Sequence, residues 1–423
     1  MHGPLAFWLT TALFTITYIG LALGKVPGLR MDRAGVALVG AVLMLVFGLL
    51  PFTPKTFADA LDFSTLALLF GMMVVVGMLQ LSGFLQRLTE QALARIRSPV
   101  GMLAAIVVLS GALSAFLIND VVCVALTPLV LQLTRRLRYD PVPQLIGLAT
   151  AANIGSSATI TGNPQNIFIG SHSHIPYLRF VLRLAPPALL GLVLAFLAIW
   201  FVYRRRLAPP EPSKGIPPAP ASRAAARHAP TWLQAKSALV ALAAVVLFFV
   251  LPSADLPIVA LAAAAVVLID RVKPEKIYRQ IDWALLVMFA GLFLVVYAFK
   301  IHVVQSWGVA RWTWLLGRPV DALSVASAAL SNLVSNVPAV LLFEPVVQAM
   351  PAASRETAWL ALAMSSTFAG NLTLLGSVAN LIVVEQARRE GIRVSFIEYC
   401  KVGAPLTLAT LAVGIAWLMF VPY

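Results

Sequence analysis

Residues 152–170 read ANIGSSATITGNPQNIFIG: three asparagines, two serines, two threonines, a glutamine, three glycines and a proline, with no charge among them. This polarity sits inside a chain of 423 residues that is 60% hydrophobic and only 11% charged. Soluble domains carry about 25% charge. Around the stretch, apolar runs recur from end to end, many reaching the roughly 18 residues that cross about 30 Å of hydrocarbon. The chain therefore reads as an all-α polytopic membrane protein. Its first run, residues 5–24, has full spanning length and no small-residue cleavage site, so it reads as a retained helix and not a removed signal.

Spans are predicted near 5–24, 34–51, 63–83, 144–170, 180–203, 235–253, 256–270, 282–300, 357–386 and 400–421. Two further apolar stretches, 99–136 and 319–350, are interrupted by polar residues at their middles. Each is either two helices or a hairpin that returns to the side it came from, and the parity of the later spans is the same either way. With the N-terminus outside, the inner loops 25–33, 84–98, 134–143, 203–236, 271–281 and 387–401 hold 24 of the 31 lysines and arginines. Only Lys55, Arg179, Arg183, Lys300, Arg311, Arg318 and Arg355 fall outside. That bias is the positive-inside rule. It accounts for the +14 net charge without nucleic acid, and it places both termini on the periplasmic face of a bacterial inner membrane. The Pro-, Ala- and Arg-rich segment 204–234 reads as a cytoplasmic linker between a first unit, 1–203, and a second, 235–423.

The two units repeat one design. TPKTFADALDFSTLALLFG (53–71) aligns with KPEKIYRQIDWALLVMFAG (273–291), pairing Asp62 with Asp282 and Gly71 with Gly291. LSAFLINDVVCVALTPLV (113–130) aligns with LSNLVSNVPAVLLFEPVV (330–347), pairing Ser114 with Ser331 and Asn119 with Asn336. The opening stretch aligns with STFAGNLTLLGSVANLIV (366–383), pairing Thr159 with Thr373, Gly162 with Gly376 and Asn166 with Asn380. Each unit holds about five spans plus one re-entrant hairpin and one broken helix. Because five is odd, the second unit enters the membrane upside down. Inverted repeats with discontinuous helices at matching positions mark secondary transporters, with the substrate near the midplane. Backbone that is not helical survives at membrane depth only inside protein or against a watery cavity. Gly155, Gly162, Pro164, Gly370 and Gly376 are the expected helix breakers, with Asn, Ser and Thr satisfying the freed backbone.

The segments AFLINDVVCVALTPLV, NIGSSATITGNPQN, SNLVSNVPAVLL and GNLTLLGSVANL resemble the ion-transporter superfamily along essentially the whole chain. Within it they are most similar to the arsenite-pump and sodium–proton antiporter (ArsB/NhaD-like) permeases, with divalent-anion sodium symporters as more distant kin. The resemblance implies hairpin tips at Asn119–Asp120 and Ser335–Asn336 and unwound segments at Gly155–Asn166 and Gly370–Asn380. It also implies a site that moves as an elevator against a static dimer scaffold. Where the dicarboxylate relatives carry Ser-Asn-Thr at their tips, this chain reads Ile-Asn-Asp and Ser-Asn-Val.

Asp120 is the sharpest single residue: a carboxylate near the bilayer centre costs about 2.5–3.5 kcal/mol on insertion scales and usually marks an ion or proton path. The plainer reading makes it a cap on the N–H of Val122 or Cys123. Asn119, Asn166, Asn336 and Asn380 are expected to bind substrate, joined by Thr159, Thr161, Asn163, Ser335, Asn371 and Thr373, although asparagines at helix breaks also commonly satisfy backbone. Cys123 reads as packing more than as a soft ligand for As(III), and Glu344 as approaching the outer interface or pairing with a polar neighbour more than as a proton carrier. Asp62 and Asp282 read as N-caps.

No P-loop occurs, so any ATP drive would come from a separate ATPase subunit. No cofactor and no metal site is expected, and the partners are the lipid bilayer, a small inorganic substrate and protons. The expected activity is proton-coupled efflux of arsenite or antimonite, with Asp120 as the protonation switch. The alternatives are a proton- or sodium-coupled carrier of an inorganic anion or dicarboxylate, and a sodium–proton antiporter.

Overall fold

Several helices begin where the pattern of polar residue and proline or of a capping carboxylate predicts: Ser98, Asp140 and Asn163 each cap a helix opened by a proline, and Asp32 caps another. A computed structural model describes residues 4–23, 31–93, 96, 98–208, 231–270, 272–304 and 317–421. Most of the expected linker, and Arg311, lie outside the described residues. The first part runs α1 (Pro4–Leu23), α2 (Arg33–Val46), α3 (Pro54–Ala60), α4 (Phe63–Leu81) and α5 (Phe84–Leu93). It continues through α6 (Pro99–Phe116), α7 (Asn119–Leu137), α8 (Pro141–Ser156), α9 (Pro164–Ser173) and α10 (Tyr177–Tyr203). The second part holds α11 (Thr231–Val250), α12 (Leu256–Leu268), α13 (Pro274–Tyr278), α14 (Trp283–Phe299) and α15 (Asp321–Val334). It closes with α16 (Asn336–Gln348), α17 (Ala352–Ala369), α18 (Val378–Arg389) and α19 (Phe396–Phe420). Asp62 and Asp282 are the expected N-caps, accepting from Thr65 N at 3.0 Å and Leu285 N at 2.9 Å.

Among the described residues, seven helices are long and apolar enough to cross a membrane: α1, α4, α6, α10, α11, α14 and α19. The chain is a multi-pass membrane protein. α2 ends at Val46 and not at 51, because Gly48 takes φ 66° and turns the chain. Gly155 does not break its helix as expected: α8 runs through it to Ser156. It is needed for packing, since a side chain there would overlap the Gly111 backbone where α6 crosses α8. Pro164 starts α9 at its first position, where a missing N–H costs nothing.

The helices gather into two packed groups. In one, α14 lies on α2, α12 on α4, and α1 and α11 flank them. In the other, α8 and α17 are central, wrapped by α6, α7, α10, α15, α18 and α19. Both central helices are buried on every side over most of their length, α8 from Val142 to Ser156 and α17 from Ala358 to Ala369. The groups meet where α4 passes α9, α1 passes α15 and α14 passes α16.

Two crossings in the first group are reciprocal. A methyl added to Gly71 of α4 would lie 2.6 Å from the Ala260 carbonyl carbon of α12, and one added to Gly291 of α14 would lie 2.7 Å from that of Ala37 in α2. In each case the wall is backbone, which cannot swing aside. Gly71→Val or Gly291→Val is therefore expected to cost about 1–3 kcal/mol or more by overpacking, read as a lowered melting temperature in detergent. A tolerated valine at both positions would mean that these crossings are loose.

Ion pairs join loops that the charge pattern put on one side. Arg206 bridges Asp140 at 2.8 Å and Glu398 at 2.5 Å, and Arg135 meets Glu390 at 2.7 Å. On the other side Arg179 meets Glu356 at 2.7 Å.

Candidate functional site

Both expected breaks are present and are built alike. α8 ends at Ser156, a 3-10 turn spans Ile160–Gly162, and α9 restarts at Pro164. α17 ends at Ala369, a 3-10 turn spans Leu374–Gly376, and α18 restarts at Val378. Thr159 (φ −136°, ψ 163°) and Thr373 (φ −132°, ψ 162°) lead into the turns in the same extended conformation. Asn163 and Ser377 cap the restarted helices, accepting from Asn166 N at 2.8 Å and Ala379 N at 3.2 Å. A side chain at Gly162 would overlap the Ser156 carbonyl, and one at Gly376 would come within 2.9 Å of the Gly370 oxygen, so both breaks fold tightly back on themselves. Gly370, in right-handed conformation, caps α17 where the break begins.

The carbonyls freed by these breaks go to two asparagines. Asn166 Nδ2 donates to Ser156 O at 3.2 Å and Thr159 O at 2.9 Å. Asn380 Nδ2 donates to the equivalent Gly370 O at 2.8 Å and Thr373 O at 3.2 Å. Their amides hold the breaks open, which is the backbone-satisfying role of such residues. Only their Oδ1 atoms face elsewhere.

A third asparagine ties the breaks together. Asn153 Nδ2 donates to Asn371 Oδ1 at 2.8 Å and to Asn380 Oδ1 at 3.0 Å. Its Oδ1 accepts from Asn119 Nδ2 at 3.0 Å and Ser377 Oγ at 2.9 Å. Thr367, its partner in the aligned repeat, does the reverse, accepting from Asn163 Nδ2 at 3.3 Å and Gln165 Nε2 at 3.1 Å. All of these side chains are buried. Asn119, Asn371 and Asn380 thus share one network, and Asn163 joins it through Ser156 Oγ, which accepts from Asn163 Nδ2 at 3.0 Å and donates to Asn153 O at 2.8 Å. Asn153, Thr367, Gln165 and Ser377 belong to it and do not stand out from the sequence alone. A signal is nonetheless there, because extending the 152–170 alignment back to its start sets Asn153 over Thr367, two polar positions in apolar helices.

Other expected members lie apart from this network. Thr161 Oγ1 meets Tyr177 Oη at 2.8 Å and Thr159 Oγ1 reaches Ala115 O, so both hydroxyls turn towards α6 and α10. Thr373 contributes its carbonyl. Glu344 pairs with Lys300 at 3.6 Å, and Cys123 is packed in the apolar core.

The hairpin tips break at Leu117–Ile118 and at Ser335. In the second tip Ser331 Oγ donates to Asn336 Oδ1 at 2.7 Å and closes it. The corresponding atoms of the first tip, Ser114 Oγ and Asn119 Oδ1, are both buried without a partner among the described residues. Each such atom costs about 1–3 kcal/mol, so the first tip favours a polar guest. Asp120 stands beside it in the first turn of α7, where the helix dipole favours negative charge. The capping alternative fails: the N-cap is Ile118, without a side-chain bond, and no described side chain pairs with the Asp120 carboxylate. Both tips are also tied to the other helix group at equivalent carbonyls, Gln80 Nε2 to Val121 O at 3.2 Å and Tyr18 Oη to Pro338 O at 3.0 Å.

Ser335 adopts φ 80°, ψ 162°, a region essentially reserved for glycine. Ser335→Gly is expected to relieve about 1–3 kcal/mol of strain and raise the melting temperature. An unchanged or lowered temperature would show that the serine is held by something other than backbone geometry.

A family model described as citrate transporter, CitMHS, matches residues 12–369. The chain belongs to the CitMHS family. Among its relatives, the silicon efflux transporter LSI3 of Oryza sativa subsp. japonica is 32% identical, covering 92% of this chain and 93% of its own. The putative transporter arsB of Dictyostelium discoideum is 23% identical, covering 96% and 91%. The YdaH transporter of Alcanivorax borkumensis superposes with a TM-score of 0.61 over 98% of this chain and 96% of that one, at 16% identity, a likeness of fold. The resemblance read from the hairpins and breaks, to the ion-transporter superfamily on its arsenite-pump side, agrees with these relatives. This CitMHS chain is a secondary membrane transporter of a small substrate and not an enzyme.

Proposed function

We propose that the chain exports an uncharged metalloid hydroxide, arsenite or antimonite, in exchange for protons, with Asp120 as the protonation switch. The observation that carries this reading is the first hairpin tip. Its open atoms are a neutral hydroxyl and a neutral amide oxygen beside one carboxylate, and among the described residues no lysine or arginine donates into the asparagine network. A trihydroxide can donate to such oxygens, whereas an anion would meet Asp120 with no fixed positive charge to balance it. The silicon efflux relative supports the direction and the class of cargo. On this reading residues 1–203 and 235–423 are inverted repeats joined by a cytoplasmic linker, and both termini are periplasmic. The reciprocal glycine crossings and the matched Asn166 and Asn380 bonds support the repeat.

A second reading, uptake of an inorganic anion or carboxylate with protons or sodium, is favoured by the family's citrate description and by helix N-termini at both breaks, which attract anions. Expression in an arsenite-sensitive strain separates the two. Rescue, with As(III) moving in vesicles only under an imposed pH gradient, is the expected outcome. Absence of rescue together with uptake of labelled sulfate or succinate would replace the first reading by the second.

A further inference from the structure

A cavity of about 570 Å³ opens between α6 and α10, on the far side of the break from the asparagine network. Ala104 and Ala112 of α6 and Ala185 and Leu189 of α10 form its walls, and Ala158 and Thr159 form its floor. Its rim faces outward, with Val108 64% and Leu189 63% exposed. In a membrane-spanning chain that surface is turned to lipid. The one hydroxyl in its lining, Thr159 Oγ1, is turned to the Ala115 carbonyl, so nothing in the cavity calls for a polar ligand. Along α6 the lining runs from Ala104 to Phe116, about 18 Å at the helical rise. One leaflet of the hydrocarbon core is about 15 Å deep.

The same end of both wall helices is basic. Arg204 and Arg205 follow α10, are exposed, and pair with no acidic side chain among the described residues. Arg95 and Arg97 precede α6 in the sequence and lie outside the described residues. Arg204 lies eight residues past Phe196, where the α10 lining ends, about 12 Å at the helical rise. An apolar slot of leaflet length with cations a headgroup's depth beyond it matches a lipid with a negative headgroup.

We propose that this crevice holds one acyl chain of an anionic phospholipid from the cytoplasmic leaflet, its headgroup at Arg204 and Arg205. The choice of leaflet rests on the orientation proposed above; the slot and its charge do not. The tail end lies against Ala158 and Thr159, so the lipid touches the first break from the side opposite the cargo.

The test uses the full chain in phosphatidylcholine vesicles containing spin-labelled phosphatidylglycerol. Above the boundary shell that any spanning chain immobilises, an excess of about one phosphatidylglycerol per chain is expected, and that excess should be lost in Ala112→Trp and in Val108→Trp, which fill the slot from its rim. Arg204→Gln and Arg205→Gln should each weaken the preference for phosphatidylglycerol over phosphatidylcholine about fivefold, the factor expected per basic residue at a charged membrane surface. Melting temperature identifies any variant that fails to fold, and the two filling variants stand in for each other. An excess of phosphatidylglycerol above the boundary shell that survives a folded filling variant overturns the proposal. So does equal binding of the two headgroups by the unaltered chain, which would mean an adventitious tail only. Labelling of Arg205→Cys from outside intact cells would overturn the orientation and leave the lipid result to be judged on its own.

Discussion

Asp120→Asn is expected to abolish arsenite rescue and the response of As(III) transport to a pH gradient, while leaving the protein at least as stable as before. The carboxylate sits in the first turn of α7 without a capping bond or an ion pair among the described residues, so asparagine removes no contact that holds the fold. Removing a charge from membrane depth also relieves about 2.5–3.5 kcal/mol of insertion cost. A group kept at such cost, and replaceable with a gain in stability, is one retained for what its proton does. Growth on arsenite and melting temperature, measured on the same variant, should therefore move in opposite directions. Full rescue by Asp120→Asn would make the carboxylate a bystander.

Asn153→Leu is expected to have the largest effect on the fold. It would strip partners from Asn119, Asn371, Asn380 and Ser377 at once. At about 1–3 kcal/mol for each buried group left unpaired, the loss rivals the roughly 5–15 kcal/mol that holds a typical domain together. The variant should fail to give a monodisperse peak in detergent. Asn153→Asp keeps the acceptor for Asn119 and Ser377 but sets a carboxylate oxygen against Asn371 Oδ1 and Asn380 Oδ1, so it should be nearly as damaging as Asn153→Leu. Thr367→Val should be milder, because Asn163 keeps its bonds to Ser156 O and Oγ. A well-behaved Asn153→Leu protein would show that water can replace this network.

Features that depend on local chemistry are legible in the sequence. The breaks at 157–163 and 370–377 come from polar and glycine residues that no lipid-facing helix could carry, and the caps at Asp62 and Asp282 from a carboxylate just before an apolar run. Hairpin tips at Asn119 and Asn336 stand out for the same reason. The hidden features depend on who approaches whom. Gly155 looks like a breaker because only the passing backbone of Gly111 reveals it as a crossing point. Asn153 is one polar residue among many until Asn371 and Asn380 come to it across more than 200 residues of chain. Ser335 carries no mark of its left-handed backbone, since serine is an ordinary turn residue. Asp120 reads equally as a cap or as a coupling group, and only the geometry of Ile118 removes the first.

The distance along the chain between Asn153 and its partners has a bearing on how the protein is made. Asn371 and Asn380 lie 218 and 227 residues further on, which at about 5–20 residues per second is roughly 10–45 s of synthesis. During that interval a helix whose finished surroundings are entirely protein has none of its later neighbours. Its amide must be sheltered by the insertion machinery, by early packing of α6 and α10, or by water drawn into the bilayer. Biogenesis of this transporter therefore has a vulnerable period that ends only when the second broken helix arrives.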